Sequence, residues 1–226
     1  MARKGYQQQL TDLREDVLYM SEIVLERVRM GLRALETKND SLARDVIEGD
    51  HEINELYLEL EQRCIDLFAL QQPVASDLRF IAASFKIITD LERIGDLATN
   101  LGEYTLRAER DLYPDVDVQG IGDAVIEMVE AAMVAYADED IESCFEINDR
   151  DDRIDAMCEK ASSTVVRDLI ETEIDAPASE GDIDGLMADV SRLLLTIRDL
   201  ERIGDHAVNI AARSLYMVES SDELIY

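Results

Sequence analysis

A seven-residue segment occurs twice in this chain, and the repeat constrains the possible folds more than any other feature. The letters DLERIGD stand at 90–96 and again at 199–205. Further upstream, the acidic segment 48–54 lines up with the acidic segment 149–155. Similarity at a fixed interval of about a hundred residues indicates that a unit has been duplicated. The two halves are therefore expected to share one fold.

Apolar residues recur at intervals of three and four along most of the chain, which is the pattern of amphipathic helices. Only 3 residues are proline, 10 are glycine and 5% are aromatic, a composition that disfavours β-sandwiches and barrels. Short turns between the stripes make neighbouring helices antiparallel. The sequence predicts an all-α fold of two tandem, sequence-related up-down three-helix bundles, with six long helices. The predicted bundles are 1–112 and 113–226, and the expected loops are a linker over 112–122 and an acidic loop over 175–185.

The charge of the chain excludes some classes of function. Acidic residues number 51 against 22 Lys and Arg, which gives a formal net charge of −29. A protein that binds nucleic acid by neutralising phosphates needs a basic patch, and the sequence shows none. A hydrophobic content of 47% argues against a disordered acidic chain. Because salt screens repulsion between like charges, this composition predicts a protein adapted to a salty cytosol. No apolar run approaches the ~18 residues of a membrane span, so no membrane-spanning segment is expected.

The repeated segment places acidic side chains in a row along a helix. Glu92, Asp96 and Asn100 are spaced four residues apart, so they share one side of the helix. Carboxylates spaced in this way repel each other, whereas a multivalent cation between them makes the arrangement favourable. Paired acids in such an acidic chain usually mark a solvated face, but their retention in both halves favours metal binding. The predicted metal ligands are Asp50, Asn54, Glu92, Asp96, Asn100, Asp151, Asp155, Glu201, Asp205 and Asn209.

The duplicated ERIGD segments, together with 46–50 and 72–79, resemble the PhoU family of phosphate-transport regulators. The resemblance implies two three-helix bundles that carry multinuclear clusters of iron or zinc, with manganese or magnesium as alternatives. It also implies a cytoplasmic accessory protein that restrains uptake by the phosphate-specific ABC transporter and, in bacteria, links it to a sensor histidine kinase. The expected partners are the ATPase subunit of the transporter and a second copy of the chain in a homodimer. The salty-cytosol composition suggests a halophilic archaeon as the source.

Two other functions fit the same residues. The chain would regulate a different carrier or channel, or it would be a metal-dependent phosphoester hydrolase. The sequence offers no obvious nucleophile, phosphate-cradling glycine loop or basic clamp, which disfavours the enzyme. One departure from the family pattern bears on the predicted sites, because Asn54 stands where the second half has Asp155. The first site is therefore less anionic and is expected to hold metal more weakly.

Overall fold

The computed structural model describes residues 2–70, 74–108, 116–175 and 180–225, and all regular structure in these ranges is α-helical. The all-α prediction is therefore confirmed. The helices are α1 (Ala2–Thr37), α2 (Asp40–Glu48), α3 (Asp50–Leu70), α4 (Ala75–Leu106), α5 (Val118–Asp138), α6 (Ile141–Asp175) and α7 (Glu180–Glu219). Within this described part of the chain, no helix combines the length and the apolar character needed to cross a membrane.

The first bundle contains one more helical segment than predicted, because the second long helix is interrupted at Gly49 and is divided into α2 and α3. Gly49 keeps helical dihedral angles (φ −72°, ψ −11°), and its N–H donates to the Asp45 carbonyl. The Arg27 guanidinium passes so close to Gly49 that a side chain there would collide with it. The absence of a Cβ thus lets Arg27 reach the Glu52 carboxylate, at 2.8 Å.

The two bundles are built around matching turns. Lys38 and Glu139 end the first helix of each half in the left-handed conformation, with φ of 51° and 59°. Each is followed by a capping residue, since Asn39 and Asp140 both accept hydrogen bonds from backbone N–H groups two and three residues ahead. Such caps satisfy donors that a helix start leaves unpaired. The duplication therefore extends from the sequence to the local turn geometry.

The loops differ in part from the prediction. Helix α5 begins at Val118, inside the expected linker, because the Asp117 carboxylate accepts the Gly120 N–H at 2.8 Å and caps the helix. Helix α7 begins at Glu180, so residues 180–185 of the expected acidic loop are helical. The predicted boundary at 112/113 lies outside the described residues.

The halves share one hydrophobic core, which runs through the contact between α4 and α7. Leu91 and Ile94 of α4 are fully buried, and so are their counterparts Leu200 and Ile203 of α7. Helices α1 and α5 add a second contact between the halves. Because α4 and α7 carry the repeated acidic segments, this packing brings the two predicted sites onto neighbouring central helices.

Candidate metal centres

The first acidic cluster lies where α3 approaches α4. An arginine and two hydrogen-bond donors of the same chain already contact its carboxylates. Asp50 of α3 accepts the Asn54 amide at 2.7 Å and the Thr99 hydroxyl at 3.4 Å. On α4, the Arg93 guanidinium lies 3.5 Å from Glu92 and 3.3 Å from Asp96. Burial and the neighbouring Asp96 raise the pKa of Glu92, whereas Arg93 opposes the shift. The cluster is therefore partly neutralised by the chain itself.

Close helix packing brings the acids of α3 and α4 together. Gly95 lies between Glu92 and Asp96 in sequence, and a Cβ on it would be 3.0 Å from the Ile53 side chain of α3. Without that Cβ, Ile53 packs directly on the α4 backbone. Glycine costs an isolated helix about 1 kcal/mol relative to alanine. Here it permits the approach of α3 that places Asp50 near Glu92.

The second acidic cluster joins Asp151 and Asp155 of α6 with Glu201 and Asp205 of α7. Burial, followed by the charges of Asp155 and Asp205, raises the pKa of Asp151 to about 6. Burial and the same neighbouring charges also raise the pKa of Glu201, and burial and Asp155 raise that of Asp205. One carboxylate oxygen of Asp151, Oδ1, is buried without a hydrogen-bond partner. This cluster holds several negative groups with little internal compensation.

The asparagines that end the two predicted rows, Asn100 and Asn209, bond acids of the other half. The Asn100 amide donates to Asp199 Oδ2 at 3.0 Å, and the Asn209 amide donates to Asp90 Oδ1 at 3.3 Å. Both bonds cross the contact between α4 and α7. Residues eight apart on an α-helix are offset by about 80°, so the rows turn away from the carboxylate side before they reach the asparagines. Their amide groups bond the other half, and a role as cation ligands stays a prediction for both residues.

Sequence reasoning missed the acids that receive these bonds. Asp199 is only 4% exposed, and it also accepts the Tyr104 hydroxyl at 2.8 Å. Its counterpart Asp90 lies 2.9 Å from His206 Nδ1. Asp90 and Asp199 are the first residues of the two copies of the repeated segment, so the repeat was the sequence signal that could have identified them. The same asparagine-to-aspartate bond is thus made once in each direction across the contact between α4 and α7.

A cavity of about 400 Å³ lies at the far end of α4. The start of α4, including Asp77 and Arg79, lines it together with Arg14 of α1 and Glu139. Arg14 lies 2.6 Å from Glu139, so its charge is already matched, and Arg79 donates to the Met217 carbonyl. The cavity therefore offers no excess charge of either sign.

Comparison with known proteins identifies the family. The profile of the PhoU domain matches residues 17–105 and 118–214. The chain belongs to the PhoU family. A PhoU homologue of Thermotoga maritima, named a phosphate-specific transport system accessory protein, is 34% identical over 215 residues, 94% of this chain and 88% of the relative. A PhoU homologue of Methanothermobacter thermautotrophicus is 31% identical and covers 94% of each chain.

A solved structure has the same PhoU fold. The crystal structure of PhoU from Pseudomonas aeruginosa has a TM-score of 0.86 and 30% identity, and the match covers 96% of this chain and all of that one (100%). The predicted fold class of paired three-helix bundles is thus confirmed. Since the relatives include both bacterial and archaeal proteins, they give no support to the halophilic archaeal source suggested by the charge.

The residues fit the hard cations implied for PhoU proteins better than they fit zinc. The donors in both clusters are carboxylate oxygens, which suit iron, manganese or magnesium, whereas zinc sites favour sulfur and nitrogen. The nearby Cys158 thiol has its pKa raised to about 12 by burial and by Glu201, so it stays protonated. In the described part of the chain, no group of three His, Cys, Asp or Glu side chains is arranged to hold a metal ion. In the second cluster, Asp151 Oδ1 is the buried carboxylate oxygen that would lose no hydrogen bond on binding a cation.

Proposed function

We propose that this protein is a metal-binding regulator of phosphate uptake that acts on a phosphate-specific ABC transporter. Its similarity extends over nearly the whole chain to relatives named as accessory proteins of phosphate-specific transport. The observation that carries the metal-binding part is the duplicated carboxylate cluster, in particular that of the second half, where the pKa values of Asp151, Glu201 and Asp205 are raised. The name of the relatives as accessory proteins supports a regulator rather than an enzyme.

The chain's own charge makes the metal necessary for any direct phosphate contact. A protein with a formal charge of −29 repels phosphate. A bound multivalent cation inverts the local charge and supplies a positive centre for phosphate oxygens. Asp151, Asp155, Glu201 and Asp205 would hold the cation in the second half, and Asp50, Glu92 and Asp96 would do so in the first.

The proposed partner is the ATPase subunit of the transporter, which places the protein in the cytoplasm. In a bacterial host, a sensor histidine kinase is a second proposed partner. We also propose a homodimer and adaptation to high salt, the latter from the acidic excess. These assignments rest on the resemblance to the PhoU family and on composition.

Phosphate binding tests the chemical part of the proposal. Equilibrium dialysis with radiolabelled phosphate is compared for Mn²⁺-loaded protein, chelator-treated protein and the variant with Glu92, Asp96, Glu201 and Asp205 changed to the corresponding amides. We expect phosphate binding only by the loaded wild type, because amides keep the side-chain shape but remove the negative charge that retains the cation. Undiminished phosphate binding after chelation would contradict the role of the metal.

Uptake measurements test the biological part. Expression of the chain in cells that lack their own PhoU-family protein should lower uptake of radiolabelled phosphate through the ABC transporter, and the four-residue variant should not. A strain without that transporter is the control. An effect on another carrier, or turnover of a phosphoester by the loaded protein, would instead support the regulator of a different carrier or the hydrolase.

A further inference from the structure

Large apolar residues are exposed at three pairs of matching positions, close to where α3 ends and α4 begins and where α6 ends and α7 begins. Isolated exposed apolar residues are common on protein surfaces. Val134 and Leu195 are of this kind, since the other half has Arg33 and Lys86 at their positions. The three matching pairs, in which each residue is 37–48% exposed, are Ile65 with Val166, Val74 with Ile183, and Leu78 with Met187. Exposure of the same positions in both halves indicates a surface with one function in both.

In the first half these residues lie close together, because α3 and α4 are antiparallel. Thr99 of α4 donates to Asp50 of α3. One turn earlier on α4, Gly95 lies against Ile53, which is one turn later on α3. Continued toward the end of α3, this register places its last two turns beside the first turn of α4. We call this surface the α3/α4 patch, and its exposed apolar residues are Ile65, Phe68, Val74 and Leu78.

The second half repeats the arrangement between α6 and α7. A Cβ on Gly204 of α7 would lie 3.6 Å from Ile154 of α6, and one turn later on α6 the Cys158 thiol donates to the Ile197 carbonyl. We call the corresponding surface the α6/α7 patch, and its exposed apolar residues are Val166, Ile170, Ile183 and Met187. A cavity of about 520 Å³ lies along this part of α6 and is lined by Ser162, Ser163, Val166, Arg167, Ile170 and Glu171. The patch is therefore concave enough to receive side chains of a partner.

The two patches lie at opposite ends of the central pair of helices. Arg79, at the start of α4, donates to the Met217 carbonyl near the end of α7. Arg192, in the N-terminal part of α7, donates to the Arg107 carbonyl at the end of α4. Helices α4 and α7 are therefore antiparallel, and each begins beside its own patch. At 1.5 Å per residue, the length of α4 separates the patches by roughly 45 Å.

The charge of the chain favours one kind of occupant. A second copy would bring a like charge of −29 to the contact, and the anionic surface of a membrane is repelled in the same way. The homodimer proposed above is therefore expected through another face. A protein that presents apolar side chains flanked by Lys or Arg is attracted instead, because opposite charges steer the encounter and buried apolar anchors hold the complex. The charged residues near the patches are mostly acids: Asp66 and Asp77 at the first, and Glu171, Asp184 and Arg167 at the second.

We propose that the α3/α4 and α6/α7 patches are docking surfaces for a basic partner protein, and that one chain binds two copies of it, one at each end. The inference rests on the proposed function, in which the partner is the ATPase subunit of the transporter. It adds to that function the place of the contact and the number of copies bound. A chain occupied at both ends holds two ATPase subunits at a fixed separation.

Binding to the purified ATPase subunit of the host's phosphate-specific ABC transporter tests the proposal. Isothermal titration calorimetry gives the affinity and the number of subunits bound per chain for the wild type, for I65S/L78S, for V166S/M187S and for the variant with all four changes. We expect two subunits per wild-type chain and one per chain of each double variant. The variant with all four changes should bind at least roughly tenfold more weakly, because buried apolar anchors carry most of the binding energy of an interface.

The matched control is Y19S/V134S, which removes two exposed apolar side chains from α1 and α5, outside the patches. It should bind the ATPase subunit as the wild type does. Affinity should fall as the KCl concentration is raised, because salt screens the attraction between the acidic chain and its basic partner. Circular dichroism checks that each variant folds.

The contrary results overturn different parts of the proposal. Wild-type affinity in the variant with all four changes, or an equal loss in Y19S/V134S, would overturn the patches as docking surfaces and leave the proposed partner standing. One bound subunit per wild-type chain would overturn the second docking surface, and affinity that rises with salt would overturn the basic character of the partner.

Two further measurements distinguish other occupants. If light scattering showed that the four changes abolish only self-association, the occupant would be a second copy of the chain. If flotation showed that they abolish only binding to phosphatidylcholine vesicles, it would be a membrane, and either result would overturn the proposal. Wild-type protein that binds no ATPase subunit would overturn it together with the partner named in the proposed function.

Discussion

Replacing Asp151 with asparagine should stabilise the metal-free protein at neutral pH. Burial and the surrounding acids raise the pKa of Asp151 to about 6 in the folded chain, from an ordinary value of 3.8. Between these values the folded state binds more protons than the unfolded state, so stability falls as the pH rises. The penalty is absent below about pH 4 and complete above about pH 6. The neutral amide of the Asp151→Asn variant carries no charge at any of these pH values and avoids the penalty.

The size of the effect follows from the pKa difference. The rise of the pKa from 3.8 to about 6 corresponds to a loss of about 3 kcal/mol in the free energy of unfolding, before solvent screening is taken into account. Asp151 is only partly buried, and solvent screening reduces the value, so we expect a gain of about 1–2 kcal/mol for the Asp151→Asn variant. A gain of this size is a substantial part of the stability of a typical domain.

The assay is urea unfolding in chelator, followed by circular dichroism at about pH 7.5 and about pH 4. The matched control is Asp50→Asn. Asp50 accepts hydrogen bonds from Asn54 and Thr99, so its replacement should give no stabilisation at either pH. The comparison cancels the general effect of acid on a chain of −29. A second comparison adds Mn²⁺ at about pH 7.5. There the wild type should be more stable than Asp151→Asn, because only the wild type keeps the Asp151 carboxylate as a ligand for the cation.

The repulsion among the acids of the second cluster would be refuted by an Asp151→Asn variant that is no more stable than the wild type at neutral pH. It would also be refuted if Asp50→Asn gave the same gain. Either result would mean that burial and the neighbouring acids do not destabilise the charged form of Asp151 in the folded protein.

Three further predictions concern packing and charge. Asn100→Ala removes a donor from a buried carboxylate and should cost about 1.5–3 kcal/mol in urea unfolding, whereas the matched but exposed Asn209→Ala should cost less than about 1 kcal/mol. Gly102→Ala should lower stability by about 1–2 kcal/mol, because its Cβ would be 2.9 Å from the Ala43 carbonyl oxygen. Gly204→Ala is the contrasting variant: its Cβ would find no atom closer than 3.6 Å, so improved helix propensity should leave stability equal or higher by up to about 1 kcal/mol. Metal-free wild type should melt several degrees higher in concentrated KCl than in dilute buffer, and an unchanged melting temperature would contradict the proposed adaptation to salt.

The fold could be predicted because its main causes are local and periodic. Apolar residues at intervals of three and four define the long helices, and the repeat defines two bundles. The interruption at Gly49 could not be predicted in the same way, because Gly49 has helical dihedral angles and its lack of a side chain leaves room for Arg27 of another helix. A single glycine in a helical pattern does not reveal which side chain will approach it.

The acids of the two sites could be proposed from spacing, but their partners could not. The i, i+4 spacing of Glu92 and Asp96 follows from the sequence alone. The bonds of Asn100 and Asn209 depend on the contact between α4 and α7, which joins residues about a hundred positions apart. Aligning the two halves of the sequence shows which residues correspond, but it does not show which residues of one half contact the other.

The reciprocal bonds between α4 and α7 have a consequence for how the halves could exist apart. The asparagine of each half donates a hydrogen bond to the aspartate of the other half, so the two bonds are reciprocal. The polypeptide is in this respect a pair of subunits tethered end to end. In a fragment that stops before α5, Asp90 and Asn100 would lose their partners, and the apolar face of α4 that packs on α7 would be exposed. Such a fragment should therefore form a homodimer in solution.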